Sequence, residues 1–211
     1  MKIWSHSFQD NARIPAKHAF CLMDAKAHVA LSENCNPHLA WSDLPAGTQS
    51  LALICHDYDV PSKGDDVNQE GKSIPANLPR VDFYHWLLVD LPPTLSSVAE
   101  GEFSSQVTPR GKPGPGTLHQ ARHGINDYTP WFAADKDMSG DYYGYDGPCP
   151  PWNDTILHHY VFTLYALDVK KLPIGDPFTG AGLMPVINAH TLAKASITGI
   201  YTLNPVLDKT L

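Results

Sequence analysis

The chain has 211 residues, 43% of them apolar and 18% charged, with 19 prolines and a formal net charge of −7. An interior proline costs a helix about 3 kcal/mol, so the prolines argue against a helical bundle, and the apolar content argues against disorder. The negative charge argues against nucleic acid as a partner.

Short apolar runs bounded by Asp, Gly and Pro predict β-strands along the chain. In chain order, the predicted elements are a strand at 28–31, a turn at 43–48, strands at 51–58, 83–91 and 160–167, a helix at 189–196 capped by Asn188, and a strand at 197–203. The runs 51–58, 83–91 and 160–167 are apolar on both faces, as in strands buried between two layers. No linker divides the sequence, so we expect a single, mainly antiparallel β domain over residues 1–211.

Cysteine spacing and the N-terminal residues predict where the protein works. Cys21, Cys35, Cys55 and Cys149 form no C-x-x-C pair, which argues against a zinc ribbon, and they are too few for a disulfide scaffold. The first residues lack the apolar core of a signal peptide, and no uncharged apolar run approaches about 18 residues. We expect a soluble, cytoplasmic protein with reduced thiols and no stable membrane insertion.

Polar residues lie at the ends of the three buried strands. Asp57 and Asp59 lie at the end of the first strand and point to the same side of an extended chain. His85 opens the second strand, and His158 opens the third on the same face as Tyr160. Acid and imidazole groups at neighbouring strand ends indicate a binding or catalytic cluster. The alternative is structural: aspartates that bond backbone N–H groups in a turn, and histidines satisfied within the core.

Two further segments are candidates for function. Residues 144–151 contain Gly147-Pro148 and two more prolines, so they predict a stiff wall whose glycine N–H can meet an anion, or else a stiff surface turn. Residues 135–146 place carboxylates or a hydroxyl at positions 1, 3, 5 and 12 of a calcium loop, with Gly140 at position 6. Their flanks cannot supply paired helices, so a solvated acidic turn is the preferred interpretation.

The order of these motifs resembles one protein family. The matching motifs are Asp57-x-Asp59-x-Pro61, His85-Trp86, Gly147-Pro148-x-Pro150-Pro151 and His158-x-Tyr160-Val161-Phe162. Each is weak alone, but their order together resembles the phosphatidylethanolamine-binding protein family, in the bacterial branch called Raf kinase inhibitor-like. The resemblance covers roughly residues 36–201.

The resemblance implies a mainly β fold, a Greek-key β-sandwich with a few short, mostly C-terminal helices. It also implies a pocket for phosphate, carboxylate or a phospholipid head group. The ligand-binding residues expected from it are Asp57, Asp59, Pro61, His85, Gly147, Pro148, His158 and Tyr160. A cis Val60–Pro61 bond is implied as well. We expect His85 and His158 to supply positive charge, Gly147 to donate its N–H, and Trp86 to pack in the core on the face opposite His85.

The sequence departs from the family pattern at Tyr58, which replaces a proline. Segments 62–84 and 128–144 also look long, and we expect them to cover the pocket partly or to form a homodimer contact.

Three functions remain in view. The first is a binding protein for a small anionic ligand, with no cofactor and no metal. The second is a hydrolase that uses the Asp/His cluster, with or without a metal such as zinc. Against the hydrolase, the sequence lacks G-x-S-x-G, H-E-x-x-H, Walker A and G-x-G-x-x-G. The third is a regulator whose pocket controls binding to a kinase-like protein partner.

Overall fold

A computed structural model describes all 211 residues. The strands are β1 (Lys2–Trp4), β2 (Ala12–Arg13), β3 (Cys21–Asp24), β4 (His28–Leu31), β5 (Leu39–Ser42), β6 (Ser50–Pro61), β7 (Arg80–Leu91), β8 (Ser97–Val98), β9 (Arg122–His123), β10 (His158–Leu167) and β11 (Thr191–Tyr201). The α-helices are α1 (Tyr128–Trp131) and α2 (Gly180–His190), and the 3-10 helices are Ala16–His18, Leu118–Gln120 and Asp208–Thr210. The expected mainly β fold with few helices is confirmed.

One six-stranded sheet organises the molecule, with the order β2-β11-β10-β6-β7-β9. Neighbouring strands within this sheet are antiparallel, except for β2 and β11, which are parallel. A three-stranded sheet, β1-β5-β8, and a β3-β4 hairpin complete the strands. The three strands predicted to be buried on both faces are β6, β7 and β10, which are neighbours at the centre of the large sheet.

Two apolar clusters explain why these strands are apolar on both faces. The larger cluster takes Leu51, Leu53 and Cys55 from β6, whereas the smaller takes Ala52 and Ile54. The larger lies on the side of the three-stranded sheet, and the smaller packs against α2. Alternate residues of one strand therefore enter two separate cores.

The predicted helix at 189–196 is wrong. Helix α2 ends at His190, and β11 begins at the next residue, Thr191. Asn188 lies inside the last turn of α2 and does not cap a helix. Residues 191–201 pair with β10 along nearly its whole length, and tertiary pairing overrides a weak local helix preference. The Gly180 start and the internal Pro185 hid the real helix from sequence reasoning.

The expected cis Val60–Pro61 bond is also wrong. The cis peptides are Gly114–Pro115 and Asp176–Pro177. Val60 and Pro61 instead continue β6, where they pair with Val81 and Arg80 of β7. That pairing keeps the chain extended where a cis turn was expected.

Candidate ligand-binding site

A cavity of about 340 Å³ lies beside the ends of β6, β7 and β10. Asp57, His85, His158 and Tyr160 line it, and each is at most 3% exposed, so they form its polar floor. Most of the other lining side chains are apolar. The long segments contribute to these walls, with Gly64 and Val67 from 62–84 and Trp131, Phe132 and Met138 from 128–144. Both segments therefore contribute lining residues to the cavity.

The strand register brings the floor together. Tyr160 of β10 pairs directly with Asp57 of β6, and Asp57 pairs on its other side with Phe83 of β7. Residues opposite each other on neighbouring strands have Cβ atoms about 5 Å apart, so their side chains meet on one face. The ring of His85 lies 5.1 Å from that of Tyr160, centroid to centroid.

A β-bulge turns His85 into the cavity. Cys55 pairs with Trp86, but the next residue, His56, pairs with Tyr84, so His85 is an extra residue in β7. The bulge lets His85 and Trp86 both reach the larger core, where simple alternation would separate them. Trp86 is fully buried as expected, but the prediction that it lies on the opposite face from His85 is wrong.

His158 is held between two carboxylates. Its Nδ1 lies 2.6 Å from Asp57 Oδ2, and its Nε2 lies 3.1 Å from Asp154 Oδ2. Arg80 donates to both oxygens of Asp154 in turn. Burial lowers the pKa of His158, but Asp57 and Asp154 outweigh burial and raise the pKa to about 9. His158 is therefore cationic at neutral pH, and both its N–H groups are already used.

His85 has the opposite character. Its Nδ1 lies 2.7 Å from the backbone oxygen of Asp146, which can only accept, so Nδ1 carries the proton. Burial lowers the pKa of His85 to about 4, although Asp57 acts in the opposite direction. The imidazole is therefore neutral at pH 7, and its Nε2 offers a lone pair with no partner in the chain. The expectation that His85 supplies positive charge is wrong, because burial outweighs the nearby carboxylate.

The Tyr160 hydroxyl is the complementary group. It has no hydrogen-bond partner in the chain, and burial raises its pKa well above the usual value, so it keeps its proton. The cavity floor thus presents one unpaired acceptor nitrogen and one unpaired hydroxyl.

Of the two remaining residues predicted from β6, Pro61 lines the cavity and Asp59 does not. The Asp59 N–H donates to Asp57 Oδ1 at 2.7 Å, and the Asp59 carboxylate holds His159 Nδ1 at 2.8 Å. The turn-bonding alternative therefore describes Asp57, whose carboxylate accepts the Asp59 N–H and also faces the cavity. The Asp59 carboxylate instead holds the backbone N–H and the ring of His159 on the neighbouring strand.

Gly147 and Pro148 support the wall from behind and do not line the cavity. The Gly147 N–H donates to Asn34 Oδ1 at 2.8 Å, so the expectation that it is free for an anion is wrong. The Pro148 oxygen accepts from the N–H groups of Phe20 and Cys21. The segment is a structural brace for residues that do line the cavity.

Alanine at Gly147 is expected to destabilise the protein. Its Cβ would lie far inside van der Waals contact of the His18 carbonyl oxygen, which is backbone and cannot swing away. We expect a loss of about 1–3 kcal/mol in the free energy of unfolding, measured by urea denaturation. Gly116→Ala is the control, because a Cβ added there would meet nothing within 4 Å. A tolerated Gly147→Ala would contradict this tight packing.

Sequence reasoning missed a disulfide. Cys21 of β3 and Cys149 are bonded, with their Cα atoms 4.9 Å apart, and both line the cavity. The expectation of reduced thiols is wrong for this pair, whereas Cys35 and Cys55 are free. The partners are 128 residues apart, and no spacing pattern marks them.

The calcium-like segment is not assembled as a calcium loop. Asp135 Oδ1 accepts the N–H groups of Asp137 and Met138, which makes an exposed turn. The residue at loop position 12, Asp146, is fully buried elsewhere and bonds Asn34, Asn126 and Lys112. The solvated turn describes 135–141, and Asp146 belongs to the support of His85.

The β-sandwich and its largely apolar cavity with a small polar floor define a small-ligand-binding protein. Residues 4–202 match the family model described as phosphatidylethanolamine-binding protein. The chain therefore belongs to the phosphatidylethanolamine-binding protein family, in its bacterial YbhB/YbcL type. None of its helices is long and apolar enough to cross a membrane.

Similar proteins span nearly the whole chain. UPF0098 protein YbhB of Escherichia coli (strain K12) is 29% identical over 202 residues, which cover 96% of this chain and 100% of that protein. A UPF0098 protein of Chlamydia muridarum is 32% identical over 201 residues, covering 95% and 98%. The crystal structure of E. coli YbcL matches with a TM-score of 0.66 at 25% identity, covering 95% of this chain and 97% of that one.

Proposed function

We propose that this protein binds a small ligand through a phosphate or carboxylate group held at the cavity floor. The observation that carries the proposal is the pair of unpaired polar atoms there, His85 Nε2 and Tyr160 Oη, at the buried end of an apolar cavity. A ligand-sized apolar cavity with a few convergent polar groups is the usual form of a binding site. A free phosphate and a phospholipid head group both offer phosphate oxygens that can accept from Tyr160, but the head group is a diester and carries no proton of its own near neutral pH.

The charge balance of the floor supports a binding role. Asp57 and His158 form one ion pair, and Asp154 and Arg80 form the next, so the chain of four groups is neutral overall. Hydrogen bonds offered to a ligand in this buried setting are stronger than in water, because little solvent competes for them.

Removing the Tyr160 hydroxyl tests the proposal. A hydrogen bond to a charged group contributes about 1.5–3 kcal/mol, so Tyr160→Phe should weaken binding of methyl phosphate at least about tenfold in titration calorimetry. Tyr165→Phe is the matched control, because Tyr165 lies on the same strand but faces the α2 cluster. Equal affinities in the two variants, or no binding of millimolar methyl phosphate to the wild type, would overturn the proposal.

The hydrolase alternative is less well supported by this geometry. Both nitrogens of His158 are bonded to carboxylates, and both oxygens of Asp57 accept hydrogen bonds. Neither group is free to exchange a proton with a reacting ligand without breaking these contacts.

A kinase-like partner and a homodimer stay predictions from the sequence. So does a cytoplasmic location, against which the Cys21–Cys149 disulfide argues, because such bonds are rare in reducing compartments.

A further inference from the structure

We propose that the bound ligand shares one acidic proton with His85, which selects a phosphate monoester or a carboxylic acid over a phosphate diester. The proposal rests on the proposed function and specifies the ligand's chemistry at the same site. It follows from counting donors and acceptors on the cavity floor.

The tautomer of His85 is imposed by the backbone. Its Nδ1 proton goes to the Asp146 carbonyl oxygen, which cannot donate in return. That carbonyl is fixed, because the Asp146 side chain bonds Asn34 and Asn126 at 2.8 Å each, and Lys112 at 2.9 Å. The Nε2 atom is therefore an acceptor, and it stays one until it is protonated.

The groups that face His85 do not supply the missing proton. From β6 the neighbours are Asp57 and His56, from β10 they are His158 and Tyr160, and from α1 the neighbour is Tyr128. The cationic N–H groups of His158 are held by Asp57 and Asp154, so they cannot turn toward a ligand. The Tyr128 hydroxyl donates to the Gly147 oxygen at 2.7 Å.

One acceptor and one side-chain hydroxyl thus remain without a partner in the chain. The acceptor is His85 Nε2, and the hydroxyl belongs to Tyr160. Both oxygens of the neighbouring Asp57 carboxylate already accept hydrogen bonds. A phosphate monoester with one proton matches the free acceptor and the hydroxyl, since its P–OH can donate to His85 and its P=O can accept from Tyr160. A protonated carboxylic acid matches in the same way. A fully ionised group has no proton to offer His85 Nε2, so this buried acceptor stays unpaired beside it.

Binding a dianion therefore requires one proton from solvent. Whether that proton sits on His85 Nε2 or on the phosphate oxygen, the complex holds one proton more than the free protein and the dianion. A diester carries no proton near neutral pH, so it either leaves His85 Nε2 unpaired or requires His85 to take a proton from solvent, and burial disfavours that charged form.

Calorimetry on the intact protein measures this proton directly. Methyl phosphate would be titrated at pH 7.5 in two buffers of different ionisation enthalpy, and we expect uptake of about one proton per ligand. Its affinity should fall nearly tenfold per pH unit above the second pKa of a phosphate monoester, about 6. Dimethyl phosphate at pH 5.5 should bind at least about tenfold more weakly than methyl phosphate.

His85→Gln provides the matched variant, since its amide offers both a donor and an acceptor at every pH. We expect its proton uptake to vanish and its pH dependence to flatten. Methyl phosphate bound to the wild type without proton uptake, or dimethyl phosphate bound equally well, would overturn this inference and leave the proposed function standing. Absence of binding by methyl phosphate and by acetate from pH 5 to 8 would overturn the proposed function itself.

Discussion

Replacing His158 with alanine should lower the free energy of unfolding by about 3–5 kcal/mol, the usual effect of removing one partner from a buried ion pair. The change leaves Asp57 and Asp154, each almost fully buried, without the cation between them. Arg80 still neutralises Asp154, so most of the loss arises at Asp57. Urea denaturation at pH 7 measures the change.

The adjacent histidine is the control. His159 pairs with Asp59, but its side chain is 31% exposed, and solvent screens the pair. His159→Ala should cost less than about 1 kcal/mol. Equal losses in the two variants would show that His158 contributes no more than a surface contact.

Alkaline pH should reproduce part of the His158 effect in the wild type. The folded-state pKa of His158, about 9, lies above its ordinary value of 6.5. The stabilisation is therefore complete below pH 6.5 and is lost as the pH rises through about 9. Urea midpoints measured from pH 6 to 10 should fall along this range, and His158→Ala should remove that component of the decline.

Loss of the Cys21–Cys149 disulfide should have an effect of similar size. The bond closes a loop with a sequence separation of 128, for which the chain-entropy account gives about 4–5 kcal/mol. The double variant Cys21→Ala/Cys149→Ala should therefore unfold at a much lower urea concentration than the wild type. Adding a dithiol reductant should move the urea midpoint of the wild type toward that of the double variant.

The disulfide also holds the β3-β4 hairpin against the cavity wall, so we expect weaker methyl phosphate binding in the reduced protein. Cys35→Ala serves as the control, because Cys35 is a free, half-buried thiol. An unchanged urea midpoint under reductant, or four titratable thiols in protein purified without reductant, would contradict the bond.

The central strands could be predicted because their physics is local. Each of β6, β7 and β10 is apolar on both faces, which requires a layer on each side. The β11 boundary could not be predicted in the same way, because residues 191–201 become a strand through pairing with β10.

The sequence predicted which residues meet at the site, because they lie at the ends of neighbouring strands, but it did not predict their protonation states. The sequence indicated that Asp57, His85, His158 and Tyr160 would meet, and all four line one cavity. Their protonation states could not be predicted, because His158 depends on Asp154, whose role no motif marked. The charge of His85 depends on burial, which a sequence does not give.

The sequence contains a pattern that could have predicted the apolar walls of the cavity. Residues 128–132 place three aromatic side chains within five positions, at the start of one of the two long segments. Contiguous apolar side chains in a long loop are typical of a ligand-binding surface. In the fold, Tyr128, Trp131 and Phe132 line the cavity.

A crystal structure of the protein with phenyl phosphate, grown near pH 5.5, tests the central claim most directly. This ligand joins a phosphate monoester to an apolar ring, so it matches both the floor and the walls. We predict phosphate oxygens within hydrogen-bond distance of His85 Nε2 and Tyr160 Oη, with the ring against Phe132 and Met138. A cavity that stays free of ligand density at saturating phenyl phosphate, or a phosphate bound away from His85 and Tyr160, would contradict the account.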